Sequence, residues 1–187
     1  GEATRVWDRK RFLFIVLGTV MTAIIGFGLK PAVQDFAASR PAAGAGLVVT
    51  AFFLFLGQWA FRRKRVLTWE EIPWWHGMVL GLVQGLSVWP GWSRSGSTIA
   101  TALCLGWDWE NAGRFSFLMA IPAILGATLL ELGDMAHLPL GPTLAGEIVT
   151  VAAGFLALVW LMRFLRSKVL WPFGVYCGLL GAWALFG

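Results

Sequence analysis

Long apolar runs, each close to the length needed to cross a lipid bilayer, constrain this sequence more than any other feature. A transmembrane helix needs about 20 predominantly apolar residues. Runs of this kind recur at residues 12–29, 44–61, 115–132, 144–165 and 171–186. Only 13% of the residues are charged, against roughly 25% in an ordinary soluble domain. The pattern predicts an all-α, polytopic integral membrane protein with about five transmembrane helices.

Basic residues cluster at the ends of these apolar runs, within residues 9–11, 62–65 and 163–168. Such clusters mark cytoplasmic ends of transmembrane helices. The first run is therefore expected to leave the cytoplasm, the second to return, and the C-terminus to lie outside. Because the net charge of +5 is explained by these clusters rather than by one soluble face, no nucleic-acid partner is expected.

Two boundaries between the runs carry local signals. Lys30 and Pro31 are expected to end the first helix, which makes residues 30–45 an outer loop. Thr68 and Glu71 have the spacing of a capping box, in which each residue binds a backbone amide at a helix start. The pattern predicts that a helix begins at this point on the cytoplasmic side.

The segment between the second and third runs is broken in the middle. Residues 76–88 and 97–105 are both apolar, but at 13 and 9 residues neither is long enough to span alone. A re-entrant hairpin over residues 76–105 accounts for both halves, with a non-helical tip that lines a protein-enclosed cavity. The alternative is one continuous helix, against which Pro90, Gly91 and Gly96 argue.

The tip of this hairpin contains Arg94 among serine, threonine and glycine residues. An arginine inside a membrane is costly and is by default a functional residue. Its planar set of donors matches phosphate oxygens. Residues 95–98 would open the second half-helix, where unpaired amides and the positive end of the helix dipole attract an anion. Small and hydroxyl residues also serve as packing contacts between membrane helices, but the arginine favours an anion site.

These residues carry a resemblance to a known family. Residues 84–98, QGLSVWPGWSRSGST, resemble the signature P-G-x-S-R-S-x-x-T of the undecaprenyl-diphosphate phosphatase family, the bacitracin-resistance membrane proteins. Residues 115–128, FSFLMAIPAILGAT, are similar to the helix that follows that signature. Nearly the whole chain can be laid along the C-terminal two thirds of the family.

The resemblance implies hydrolysis of undecaprenyl diphosphate to undecaprenyl phosphate and inorganic phosphate, which recycles the lipid carrier of cell-wall synthesis in the bacterial plasma membrane. It implies a divalent cation, Mg²⁺ or Ca²⁺. A homodimer is a further expectation for this chain. The implied catalytic residues are Arg94, Ser93 and Thr98. The implied substrate contacts are Ser95, Gly91, Gly96, Ser97 and Gln84.

The sequence also departs from the family. The family carries an earlier re-entrant hairpin, an inverted repeat of this one, with an E-x-x-x-E pair and an S-S-x-x-H element, and neither occurs here. His76 and His137 are expected to be interfacial residues rather than catalysts. The chain is thus expected to hold half of an active site, either because an N-terminal segment belongs with it, which we favour, or because it is a short relative without hydrolysis.

Two other functions stay open from the sequence. A polyprenyl-phosphate transporter or flippase could use the same anion site without bond cleavage, because half-helix ends near the membrane centre are also found in transporters. A non-catalytic assembly subunit is the third reading. Release of phosphate from the lipid diphosphate separates the first function from the other two.

Overall fold

The structure, a computed structural model, describes residues 9–63, 65–135 and 140–187, and for residues 131–135, 140 and 165 it describes the backbone alone. His137 therefore lies outside the described residues. All the regular structure in these ranges is helical. The helices are α1 (Arg9–Gln34), α2 (Arg40–Arg63), α3 (Trp75–Leu86), α4 (Arg94–Cys104), α5 (Trp109–Met135), α6 (Leu140–Leu165) and α7 (Trp171–Phe186).

Within the part of the chain that the structure describes, four helices are long and apolar enough to cross a membrane: α1, α2, α5 and α6. Helix α7 has 16 residues, or about 24 Å of helix, and is shorter than these four. Helix α7 nevertheless packs against α2 along most of the length of α2. The prediction of an all-α, polytopic membrane protein is confirmed, and apolar side chains on the outward faces of α1, α2, α5 and α6 are exposed, as a lipid-facing surface requires.

Glycines bring the helices into close contact in pairs. In the parallel pair α1 and α3, a methyl group at Gly77 or Gly81 would collide with Phe14 or Gly18 respectively. In the antiparallel pair α2 and α7, one at Gly44 would lie 3.0 Å from the carbonyl oxygen of Gly181. Close backbone approach of this kind replaces hydrophobic burial as the source of packing energy between helices in lipid.

The three clusters of basic residues come together at one end of the helix bundle. The Nζ of Lys10 donates to the carbonyl oxygen of Trp69 at 2.8 Å, just beyond the end of α2. The side chain of Gln58 in α2 binds the carbonyl oxygen of Lys168 at 3.2 Å and the amide of Leu170 at 2.6 Å. We call this end the basic end and the other the distal end. The grouping of the three basic clusters at one end agrees with the predicted alternation of helix direction.

The predicted end of the first helix was wrong. Helix α1 continues through Pro31 to Gln34, and α2 already begins at Arg40, so the connection is much shorter than residues 30–45. Pro31 lies in the last turns of α1, where its missing N–H costs one hydrogen bond in a helix that is otherwise continuous. Ser39 immediately precedes α2, and its carbonyl oxygen accepts from the amide of Ala43 at 3.0 Å.

The predicted helix start at Thr68 was also wrong, although half of the capping box forms. The Glu71 carboxylate accepts from the amide of Thr68 at 2.9 Å, but residues 69–72 form a turn and α3 begins only at Trp75. Pro73 disfavours helical backbone at the residue before it, which ends the turn. The amide of Thr68, together with Arg65, holds the pKa of Glu71 below its usual value.

Candidate functional site: the tip of the helix hairpin

Helices α3 and α4 form a hairpin whose open end lies at the basic end of the bundle. The indole Nε1 of Trp107, beyond α4, donates to Nδ1 of His76 in the first turn of α3 at 2.9 Å. The amide of Leu67 donates to the carbonyl oxygen of Gly106 at 2.8 Å. The chain thus enters and leaves this hairpin at the same level, as the break in the apolar pattern predicts.

An aromatic cluster closes the base of the hairpin. Phe14 of α1 lies 5.7 Å from Trp107 and 6.1 Å from Phe115, measured between ring centroids, and Trp69 stacks on Phe115 at 5.1 Å. His76 is only 3% exposed beside this cluster. The expectation that it is an interfacial residue rather than a catalyst stays a prediction. Its imidazole holds the base of the hairpin, at the opposite end of α3 from the tip.

The tip itself turns at Pro90 and Gly91. Gly91 has a φ of +74°, a left-handed backbone that glycine adopts without strain. A methyl group at Gly91 would also collide with the carbonyl oxygen of Ala43 in α2. Trp89 also holds this turn against α2, because its indole Nε1 donates to the carbonyl oxygen of Ala42 at 2.9 Å.

The tip ends near the middle of α2. The amide of Ser93 donates to the hydroxyl oxygen of Thr50 at 2.8 Å, and Thr50 lies ten residues, or about 15 Å, from the first residue of α2. The start of α4 therefore lies roughly halfway between the two ends of the bundle.

Ser93 is the N-cap of α4, and its hydroxyl oxygen accepts from the amide of Gly96 at 3.2 Å. Arg94 and Ser95 occupy the first turn, one residue earlier than the sequence pattern predicts. Neither of their backbone amides makes a hydrogen bond with a residue that the structure describes. Two amide donors at the positive end of the helix dipole are thus available to a ligand.

The guanidinium of Arg94 is half-buried and makes no hydrogen bond or ion pair with any part of the chain that the structure describes. A partly desolvated cation is unfavourable unless an anion or hydrogen-bond acceptor complements it. Together with the Arg94 and Ser95 amides, it forms a set of unpaired donors on one turn of helix. This arrangement is suited to a ligand with several anionic oxygens.

Two further predicted site residues, Thr98 and Ser97, already make contacts within the protein. Thr98 is 1% exposed, and its hydroxyl contacts Ser116 of α5 at 2.6 Å and the carbonyl oxygen of Arg94 at 2.8 Å. The Ser97 hydroxyl is fully buried and accepts from the indole of Trp92 at 2.7 Å. These hydroxyls fix α4 against its surroundings, and their roles toward a substrate stay predictions.

Gln84 of α3 is also buried. Its Nε2 donates to the Thr22 hydroxyl at 3.0 Å and to the Met119 carbonyl oxygen at 3.1 Å, while its Oε1 has no partner in the described ranges. Gln84 thereby joins α3 to α1 and α5. Its predicted contact with substrate is untested.

The groups that would complete a hydrolase are not found at the tip in residues 9–63, 65–135 and 140–187. Within these ranges no three His, Cys, Asp or Glu side chains lie close enough together to hold a metal ion. No carboxylate or imidazole there hydrogen-bonds to the hydroxyls of Ser93, Ser95, Ser97 or Thr98. The divalent cation that the resemblance implies stays a prediction.

Sequence reasoning missed two residues that position the tip, Thr50 in α2 and Ser116 in α5. Both are buried, at 0% and 4% exposure, and each bonds directly to α4 or its N-cap. The only signal available was a hydroxyl residue among apolar ones, Thr50 in the run 44–61 and Ser116, together with Thr128, in the run 115–132. Such residues are common in membrane helices, where most of them bond to their own backbone, so the signal could not identify their partners.

The fold and the site define a class: a polytopic α-helical membrane protein in which a hairpin of two short helices presents unpaired cationic and amide donors near the middle of the bundle. The family model described as the bacitracin resistance protein BacA matches residues 2–183. The chain belongs to this family.

Similar proteins in other organisms carry the name undecaprenyl-diphosphatase. One from Desulfatibacillum aliphaticivorans is 40% identical over 97% of this chain and 67% of its own length. One from Methanosphaera stadtmanae is 37% identical over 96% of this chain and 65% of its own length. The chain thus spans about two thirds of the length of these relatives. One from Methanothermobacter thermautotrophicus, 34% identical over 89% of this chain, is matched over 94% of its own length.

Proposed function

We propose that this chain takes part in the hydrolysis of undecaprenyl diphosphate to undecaprenyl phosphate and inorganic phosphate, and that its hairpin tip binds the diphosphate. The observation that carries the proposal is the guanidinium of Arg94, unpaired within the described chain beside two unpaired amides. The names of the relatives support the reaction.

The chemistry requires charge stabilisation that this tip can supply. In the reaction an oxygen nucleophile bonds to the terminal phosphorus and gives up its proton to a base, while the bridging P–O bond breaks. Where that nucleophile is a hydroxyl of the protein, a water molecule then hydrolyses the phosphorylated hydroxyl and releases inorganic phosphate. The bridging oxygen leaves with the lipid monophosphate. Negative charge accumulates on the phosphoryl oxygens, where donors fixed in advance lower the barrier most. The planar fork of Arg94 and the amides of Arg94 and Ser95 would contact those oxygens.

The group that activates the nucleophile must come from elsewhere, since no imidazole or carboxylate of the described residues bonds to a tip hydroxyl. A second hairpin carrying acidic and histidine residues, as the family resemblance implies, is the source that we propose. The divalent cation stays a prediction, and no step is assigned to it, because no group of three His, Cys, Asp or Glu side chains lies together among the described residues.

Phosphate release from purified protein tests the proposed function. The natural full-length protein in detergent, supplied with undecaprenyl diphosphate, is expected to release one inorganic phosphate per lipid, measured colorimetrically. The competing function, a transporter or flippase, would instead move the lipid across the membrane of reconstituted vesicles while leaving its diphosphate intact. Lipid movement without phosphate release would replace our proposal with that one.

We also propose that the hairpin is re-entrant, with both of its ends on the cytoplasmic side. The support is the pairing of His76 with Trp107 and of Leu67 with Gly106 at the basic end. Single cysteines replacing the exposed residues Arg63 and Glu110, in a protein whose Cys104 and Cys177 are changed to alanine, should both react with a membrane-impermeant maleimide from the cytoplasmic side only. Labelling from opposite sides would make residues 76–105 a full crossing.

The location and partners follow from the same proposal. The bacterial plasma membrane is supported by helical spans, because proteins that cross the outer membrane of bacteria are β-barrels. The proposed partners are the lipid diphosphate, the surrounding bilayer, an N-terminal segment that supplies the rest of the active site, and a second copy in a homodimer. No nucleic-acid partner is proposed, since the basic residues lie at helix ends.

A further inference from the structure

One side chain of α2 holds the backbone of the hairpin tip. The hydroxyl oxygen of Thr50 accepts from the amide of Ser93 at 2.8 Å, and the hydroxyl reaches the carbonyl oxygens of Gly46 at 2.9 Å and Gly91 at 3.4 Å. Thr50 is 0% exposed. In the part of the chain that the structure describes, no other side-chain oxygen from a neighbouring helix bonds to the backbone of residues 88–93.

The contact is made possible by the absence of side chains around it. A methyl group at Gly46 would lie 2.6 Å from the backbone nitrogen of Trp92, and one at Gly91 would collide with the carbonyl oxygen of Ala43. These two glycines allow the backbones of α2 and the tip to touch, which brings the short threonine side chain within reach of the Ser93 amide. Both α2 and the tip therefore contribute a glycine to the close contact between Thr50 and Ser93.

The position of the bond along the chain gives it consequences for the anion site. Ser93 is the N-cap of α4, so a bond to its amide fixes the residue that immediately precedes Arg94. The amides of Arg94 and Ser95 remain unpaired within the described residues, and the orientation of both depends on where the N-cap is held. Thr50 thus binds the amide of Ser93, which immediately precedes the two amides that would face a ligand.

We propose that Thr50 is a positioning residue for the diphosphate site: it acts through Ser93 to aim the first turn of α4 at the phosphoryl oxygens, without touching the substrate itself. This inference rests on the proposed function of the tip. Donors misplaced by a fraction of an ångström lose transition-state stabilisation more than they lose ground-state binding. A positioning role therefore predicts a larger effect on kcat than on KM.

The test compares Thr50→Val, which keeps the shape and removes the hydroxyl, with Thr50→Ser, which keeps the hydroxyl. In the full-length protein in detergent, Thr50→Val should lower kcat for undecaprenyl diphosphate on the order of tenfold or more with a smaller change in KM. Thr50→Ser should retain most of the wild-type kcat. The matched control is Thr150→Val, because Thr150 is an exposed residue of α6 that donates to Gly146 in the same way, at 2.8 Å, far along the chain from the tip.

A measurement on the wild-type protein keeps the inference testable if Thr50→Val does not fold. By NMR, the Ser93 amide should exchange with solvent more slowly than the amides of Arg94 and Ser95, and Thr50→Ser should preserve that difference. Equal exchange at the three amides, or unchanged kcat in folded Thr50→Val, would overturn the positioning role. Arg94→Ala is measured in parallel: if it keeps full turnover, the proposed function fails, whereas loss in Arg94→Ala with none in Thr50→Val overturns only the role of Thr50.

Discussion

Replacing Arg94 by lysine should abolish most of the phosphatase turnover while leaving a folded, membrane-inserted protein. Lysine keeps the charge but loses the planar fork that can bind two phosphoryl oxygens at once. Hydrogen bonds to charged groups are worth about 1.5–3 kcal/mol each, so losing one of a bidentate pair predicts a decrease of about 10- to 150-fold in kcat/KM. Arg94→Ala should lose more. Phosphate release from undecaprenyl diphosphate is the measurement.

The result is informative only beside a measure of folding and a matched control. Arg114→Lys serves as the control, because Arg114 is an exposed residue of α5 whose ion pair with Glu110 contributes little to stability. It should leave turnover unchanged. A packing role for Arg94 makes the opposite forecast, in which Arg94→Lys lowers the unfolding temperature in detergent but leaves turnover per folded molecule near the wild-type value. That outcome would remove the basis for diphosphate binding at the tip.

Gly46→Ala should produce a large loss of stability for a single added methyl group. The new Cβ would lie 2.6 Å from the backbone nitrogen of Trp92 and closer still to the carbonyl oxygen of Pro90, and backbone atoms cannot rotate away as a side chain can. Separating α2 from the tip costs about 1–3 kcal/mol or more. It also lengthens the bond from Ser93 to Thr50. We expect a lower unfolding temperature in detergent together with a loss of turnover.

Gly146→Ala is the corresponding control in α6, where no atom lies within 4 Å of the added methyl group. Alanine is favoured over glycine in a helix by up to about 1 kcal/mol, so this variant should be as stable as the wild type or slightly more stable. Equal unfolding temperatures for Gly46→Ala and Gly146→Ala would show that α2 does not contact the tip as described. Wild-type turnover in Gly46→Ala would argue against a coupling between that contact and the site.

Several features could be predicted because they depend on short stretches of sequence. The break at Pro90 and Gly91 separates two apolar segments that are each too short to span, and both appear as separate helices. The start of the second half-helix was predicted at Ser95 and is found one residue earlier, at Arg94, with Ser93 as the N-cap of α4. Errors arose where neighbouring elements override a local signal: Pro31 was read as a helix end, but α1 continues through it.

The direction of each polar side chain could not be predicted in the same way. Ser95, Ser97 and Thr98 occur within four residues, but successive helix positions point about 100° apart. Ser97 faces Trp92 and Thr98 faces Ser116, while the Ser95 hydroxyl bonds to no residue that the structure describes. A serine or threonine in a membrane helix can bind a neighbouring helix or a ligand equally well, so composition alone does not separate the two.

The amino-acid sequence by itself determined the membrane class, the broken segment at residues 76–105 and the concentration of donors around Arg94, because each of these depends on hydrophobicity or on backbone preferences within a few residues. Only the tertiary structure decided which of those donors are unpaired. It did so by placing Thr50 of α2 against the amide of Ser93 and Ser116 of α5 against the hydroxyl of Thr98. Those partners are 43 and 18 residues away in the chain, and the contacts arise from close packing of whole helices, which no local pattern encodes.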